Sequence, residues 1–153
     1  MKNSLKIERL IELRDKVLKK TPVKKFNLRT WFNPYYRAVP LQIKIPKEFV
    51  QFNCKSSACA LGMAGLYKPF RKLGLKTHQI KRSVTYINPE TGLPESGMEA
   101  AMGFFGLSQG ETHNLFAPGM YYEILKEEGR SRDSNAIKPR HVITKIDKLL
   151  DTL

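Results

Sequence analysis

Apolar positions near the start of the chain recur with a helical period. Ile7, Leu10, Leu13 and Val17 form one stripe, widened by Ile11 and Leu18, so residues 4–20 are predicted to be an amphipathic helix. Ser4 is the expected cap, Glu8 suits the first turn, and Lys19 and Lys20 suit the negative end of the helix. Thr21-Pro22 then stops it. In LQIKIP, Leu41, Ile43 and Ile45 alternate with Gln42 and Lys44, which predicts a short strand. SACALGMAGLY, residues 57–67, is small or apolar at nearly every position and reads as a buried helix capped by Ser56 or Ser57. Gly62 and Gly65 on it leave room for a close neighbour.

KPFRKL is expected to be a short basic turn of helix or a loop. HQIKRSVTYINPETG alternates at Val84, Tyr86 and Asn88 before a Pro-Glu-Thr-Gly turn, the pattern of a hairpin or ribbon. Helical signals return in GMEAAMGFFGL, and Ser108 and Glu111 at capping-box spacing open another helix that Pro118-Gly119 closes. MYYEILKEEG reads as a helix ending at Gly129, and RSRDSN as a surface loop. In the last helix Pro139 takes the first turn, and Val142, Ile146, Leu149, Leu150 and Leu153 share a face. The pattern predicts a mainly α fold: a compact helical single domain spanning 1–153, with a small β-ribbon.

Composition changes this picture little, whereas charge changes it a great deal. The chain has 153 residues, 41% of them hydrophobic, which suits a globular core. From residue 16 to 89 there are sixteen Lys or Arg against the single acid Glu48; from 90 to 153 there are seven basic and ten acidic residues. The net charge of +13 therefore lies in a basic half, 16–89, beside a near-neutral helical half, 90–153. No apolar run is long enough for a membrane span, and the start is charged from Lys2 onward, so no membrane association and no secretory signal are expected. With only Cys54 and Cys59 for thiols, the expected compartment is a cytoplasm.

Cys54-Lys55-Ser56-Ser57-Ala58-Cys59-Ala60-Leu61-Gly62-Met63-Ala64 is one distinctive segment. Phe104-Phe105-Gly106-Leu107-Ser108, with Glu111 and Leu115-Phe116, is another. Together they resemble an uncharacterised family of small phage and prophage proteins. In that family a Cys-Gly-Thr/Ser-x-x-Cys-Ala-x-Gly-His-Ala box precedes a Gly-Leu-Ser…Glu…Leu-Phe box. A Trp-containing segment lies upstream, as Leu28-Arg29-Thr30-Trp31-Phe32 does here. Lys55 stands where the family has glycine and Met63 where it has histidine, so any role of that histidine is lost. The resemblance implies a viral origin, hence a host-cell cytoplasm, and brings no reaction with it.

Among candidate sites, Cys54 could act as a nucleophile, since a helix N-terminus and Lys55 both lower a thiol pKa; His78 or His113 would be its base. Against this, free cysteines usually pack as small hydrophobes. Two cysteines five apart without a second pair of ligands predict no metal, and no phosphate loop or paired-carboxylate motif predicts a cofactor. The anion-binding candidates are Lys16, Lys19, Lys20, Lys24 and Lys25, and then Lys68, Arg71, Lys72, Lys76, Lys81 and Arg82. Phe26, Trp31, Phe32, Tyr35, Tyr36, Tyr67, Phe70 and Tyr86 are interleaved with them, as rings that could stack on bases or, more simply, fill the core. The expected function is non-catalytic binding of nucleic acid, DNA or RNA, or of another phosphate-bearing anion through the basic half. The alternative is an interaction protein that engages an acidic host protein or assembly; the third is a cysteine-dependent enzyme using Cys54. Charge reversal in the near-neutral half, for instance at Lys126 or Lys145, is expected to matter far less for binding.

Overall fold

The computed structural model describes residues 3–27, 45–51, 58–130 and 136–153. The predicted first helix is present. Helix α1, Asn3–Glu12, continues into a wider π-helical turn over Leu13–Leu18, where the Lys19 N–H reaches back to the Arg14 carbonyl. Leu10, Leu13, Val17 and Leu18 are buried along it. Because the helix already includes Asn3, Ser4 lies inside it and is not its cap.

The central helix is shorter than its apolar run predicts. Helix α2 spans Ala60–Ala64, and its cap is Cys59, whose Sγ accepts from the Gly62 N–H at 3.2 Å. Ser56 and Ser57 lie outside the described residues. The local cause of the early end is legible in the sequence. The Gly65 carbonyl would need the N–H of residue 69 to continue the helix, and Pro69 has none. That carbonyl is taken instead by the Thr77 N–H at 3.0 Å and by Arg71 Nη1 at 2.9 Å. Pro69 then sits in the first turn of α3, Lys68–Lys72, where its missing donor does no harm.

Three antiparallel strands follow in the order β1-β2-β3: β1 Leu75–His78, β2 Ser83–Ile87 and β3 Pro94–Ser96. Leu75 faces Tyr86 and His78 faces Ser83, so the loop 79–82 closes the β1–β2 hairpin. Leu75, Thr77, Val84 and Tyr86 point inward, while Lys76 is exposed between them. Of LQIKIP only Ile45 and Pro46 are described, and neither is in a strand.

Helix α4, Met98–Phe105, ends at Gly106 in a left-handed conformation (φ 67°). Ser108 then opens α5, Gln109–Phe116, with the predicted capping box: Ser108 Oγ accepts from the Glu111 N–H at 3.1 Å, and the Ser108 N–H donates to Glu111 Oε1 at 2.9 Å. Lys6 of α1 pairs with the same carboxylate at 2.8 Å. A 3₁₀ turn, Pro118–Tyr121, leads to α6, Tyr122–Glu127, and the chain closes on α7, Pro139–Asp151. The Lys138 N–H donates to His141 Nδ1 at 2.8 Å, leaving Nε2 to donate to Glu128 at 3.0 Å. Arg140 and His141 together hold the Glu128 carboxyl down at about 2. Phe70, Tyr86, Phe104 and Phe105 meet edge-on, with ring centroids 4.9–5.8 Å apart, and tie α3, β2 and α4 into one apolar cluster.

Lys145, offered above as a site for charge reversal, is not a surface cation. It is buried on α7, with Nζ donating to the Asn114 carbonyl, Asn114 Oδ1 and the Met120 carbonyl at 2.8–3.0 Å, 4.0 Å above the Tyr121 ring. Burial, helped by nearby Lys148, pushes its ammonium down to about 8.

The contact between α2 and β1 leaves no room for a side chain at Gly65. A Cβ there would stand 2.2 Å from Thr77 Oγ1 and 2.6 Å from the Thr77 backbone nitrogen. Gly65→Ala is therefore expected to cost about 1–3 kcal/mol by overpacking, measured by chemical denaturation. A variant as stable as the parent would contradict the closeness of that contact.

Candidate polyanion-binding surface

The eleven predicted cations do not play one role. Lys16 on the π-helical turn, Lys20 just beyond it and Lys24 on the 3₁₀ turn Val23–Lys25 are exposed; Lys19 is exposed too but lies 3.0 Å from Asp15, which Arg14 also binds. Lys25 is corrected: it is fully buried, so its ammonium does not belong to the surface that a partner would meet. Its carbonyl accepts from the Ala58 N–H, and Asn27 N–H returns a bond to the Ala58 carbonyl, so backbone pairing draws this segment into the core beside α2.

The second group is more coherent. Lys68 and Lys72 are four apart on α3, Lys76 projects from the outer face of β1, and Lys81 and Arg82 occupy the hairpin loop; all five are exposed. Arg71 differs from them. Its Nη1 donates to the carbonyls of Gly65 and Thr77 at 2.9 and 3.1 Å, so it is half-buried and fastens β1 to the end of α2. Arg71, Thr77, His78, Gln79, Ile80 and Lys81 line an open cleft of about 420 Å³. The His78 ring sits in this field with Nε2 2.7 Å from Thr85 Oγ1. Burial first, and then the positive charges of Arg71, Lys81 and Lys76, depress its proton affinity. Arg71, Lys81 and Lys76 thus all lie near enough to this imidazole to disfavour its charged form. Ion pairs are formed elsewhere in the fold on Glu111, on Asp15 and Asp147, and on Glu128.

The two groups ride on different supports. The π-helical turn packs against α2 and α7, whereas α3 and the hairpin pack against each other; α2 touches both assemblies. Of the rings read as base-stacking candidates, the four that are described do not line either group as exposed platforms. Phe26, Tyr67, Phe70 and Tyr86 are all buried in the core, and Trp31, Phe32, Tyr35 and Tyr36 lie outside the described residues. Sequence reasoning did not single out Ile80, which is 97% exposed at the hairpin tip. The signal was present: an isoleucine inside the turn of a hairpin lies outside the alternation that would bury it.

The cysteine and histidine candidates separate as well. Cys54 and Lys55 lie outside the described residues. Cys59 is buried, and burial pushes its thiol up to about 12. Met63, where the resembling family has histidine, is fully buried on α2. His113 is exposed on α5. Among the described residues no group of three His, Cys, Asp or Glu side chains could hold a metal, and no helix is long and apolar enough to cross a membrane. No protein-family model, no curated protein and no solved structure matches the chain.

The state of Cys59 can be measured directly. In a Cys54→Ser variant, a thiol reagent at pH 8 is expected to leave the native protein unlabelled and to take up one equivalent on unfolding. Rapid labelling of the native variant would contradict the buried, protonated thiol.

Proposed function

We propose that this chain is a small basic, phage-encoded, non-catalytic protein that binds nucleic acid through the phosphate backbone, with α3 and the β1–β2 hairpin as the contact surface. The observation that carries the proposal is the exposure of Lys68, Lys72, Lys76, Lys81 and Arg82 on α3 and the hairpin, with Lys81 lining a cleft beside Arg71 and His78. From Lys68 to Pro89 the sequence contains six basic residues and no acid, so nothing within the segment neutralises the field it projects. Lysines arranged in this way act as mobile point charges, suited to phosphates spaced along a strand and indifferent to base identity. Burial of Phe26, Tyr67, Phe70 and Tyr86 favours backbone contact over base stacking for the part of the basic half that they occupy. The viral origin rests on the resemblance of the two sequence boxes alone.

Binding of this kind is expected to weaken steeply with salt, with a log–log slope of about −0.7 to −0.9 per phosphate neutralised. Reversing Lys68, Lys72, Lys76 and Lys81 to Glu together is expected to lower affinity by about a hundredfold or more and to flatten the salt slope by several units. Arg71 is left out of that set because its guanidinium is bonded to two backbone carbonyls of the hairpin anchor. Lys126→Glu with Lys148→Glu, both exposed in the near-neutral half, is the control and is expected to change affinity by less than about threefold. Equilibrium binding to DNA and RNA at two salt concentrations reads all of this. Affinity that is flat in salt, or absent at low salt, would reject nucleic acid and leave the surface to an acidic protein.

A further inference from the structure

The hairpin tip presents an apolar side chain to solvent on a rigid, cationic mount. Ile80 is 97% exposed, more than any other large hydrophobic among the described residues. Lys81 and Arg82 follow it directly, and Lys76 and His78 rise along the strand beneath it. The base of the hairpin is fastened at several points. Thr77 Oγ1 donates to the Gly62 carbonyl at 2.7 Å, the Thr77 N–H to Gly65, and Arg71 grips the Gly65 and Thr77 carbonyls together. Gln79 adds a longer bond to the Gln51 carbonyl at 3.4 Å. Arg82 holds a left-handed conformation, φ 53°, which only a few per cent of residues other than glycine adopt, and it turns the loop between Ile80 and β2. An aliphatic side chain held outward among cations is poorly placed for stacking on a single strand, which favours aromatic faces. It matches the wedge that groove-binding proteins push between base pairs while flanking cations hold the phosphates.

We infer that Ile80 is such a wedge: the protein binds duplex DNA with the hairpin tip in a groove, and Ile80 enters a base-pair step and kinks it. This rests on the nucleic-acid reading and adds to it the form of the ligand and the means of deforming it. Because the Ile80 side chain is almost wholly in solvent, Ile80→Ala removes the wedge without disturbing the core.

The test uses the full chain and a 30-base-pair DNA duplex labelled at both ends for energy transfer, intact or with one central mismatched pair. A mismatch lowers the cost of unstacking and so fixes where a wedge acts. Wild type is expected to shorten the end-to-end distance, by a bend of about 20–90°, and to prefer the mismatched duplex. Ile80→Ala is expected to lose the bend and the preference while keeping its salt-dependent affinity for the intact duplex within about tenfold. Duplex binding without bending, or bending that survives Ile80→Ala, overturns the wedge and leaves nucleic-acid binding standing. Failure of wild type to bind any DNA or RNA at low salt overturns both, and Ile80-dependent uptake onto anionic phosphatidylglycerol vesicles in that case assigns the tip to a membrane surface.

Discussion

The approach of β1 to the end of α2 sets the position of everything that the basic segment offers. At Gly65 the helix backbone and the Thr77 backbone are so close that no side chain fits between them. Pro69 leaves the Gly65 carbonyl without a helical donor, and the Thr77 N–H and the Arg71 guanidinium fill that vacancy. The Thr77 hydroxyl ties down the Gly62 carbonyl in the same contact. Residues from three consecutive elements thus satisfy one another's backbone groups in the core, where an unpaired carbonyl would cost about 1–3 kcal/mol. The hairpin leaves this anchor in a fixed direction, carrying Lys76, Ile80, Lys81 and Arg82 with it.

The same contact divides the cations by role. Arg71 spends its hydrogen bonds on structure, and its charge still reaches His78. Lys25 and Lys145 are buried; Lys145 exchanges its hydration for three oxygen acceptors and the face of Tyr121. Arg14 and Lys19 share Asp15. Lys16, Lys20 and Lys24 face outward near the first helix, and the set on α3 and the hairpin faces outward from a stretch of chain that contains no acid. A formal charge of +13 therefore overstates the number of cations that a partner would meet, yet five of the exposed ones sit on one small supersecondary unit.

Much of this was legible in the sequence where local chemistry decides the outcome. Ser108 and Glu111 form their reciprocal cap, Pro139 opens the last helix, and the Val84–Tyr86 alternation becomes a strand because each rule involves residues a few positions apart. The segment Phe104–Phe116 has a structural explanation: Phe104, Phe105, Leu115 and Phe116 fill the core, Gly106 ends a helix, and Ser108 and Glu111 start one. Tertiary contacts were not legible. Nothing in the spacing of Lys25 or Lys145 distinguishes them from solvated lysines, since their burial depends on acceptors and walls supplied from elsewhere in the fold. The cap on α2 fell to Cys59, a residue type rarely chosen for that task. The candidate surface was legible as a charge excess; the apolar tip was legible only through the turn, since Ile80 falls outside the strand alternation that would bury it.

The central claim is that the lysines of α3 and the hairpin meet the polyanion. Acetylation footprinting measures it residue by residue: the native protein is acetylated briefly with and without a saturating DNA duplex, and each lysine is read by mass spectrometry. Lys68, Lys72, Lys76 and Lys81 are expected to be protected by the duplex, while the exposed Lys126 and Lys148 react equally in both samples. Protection confined to Lys126 and Lys148, or equal reactivity of all six under conditions where the duplex is bound, would contradict the account.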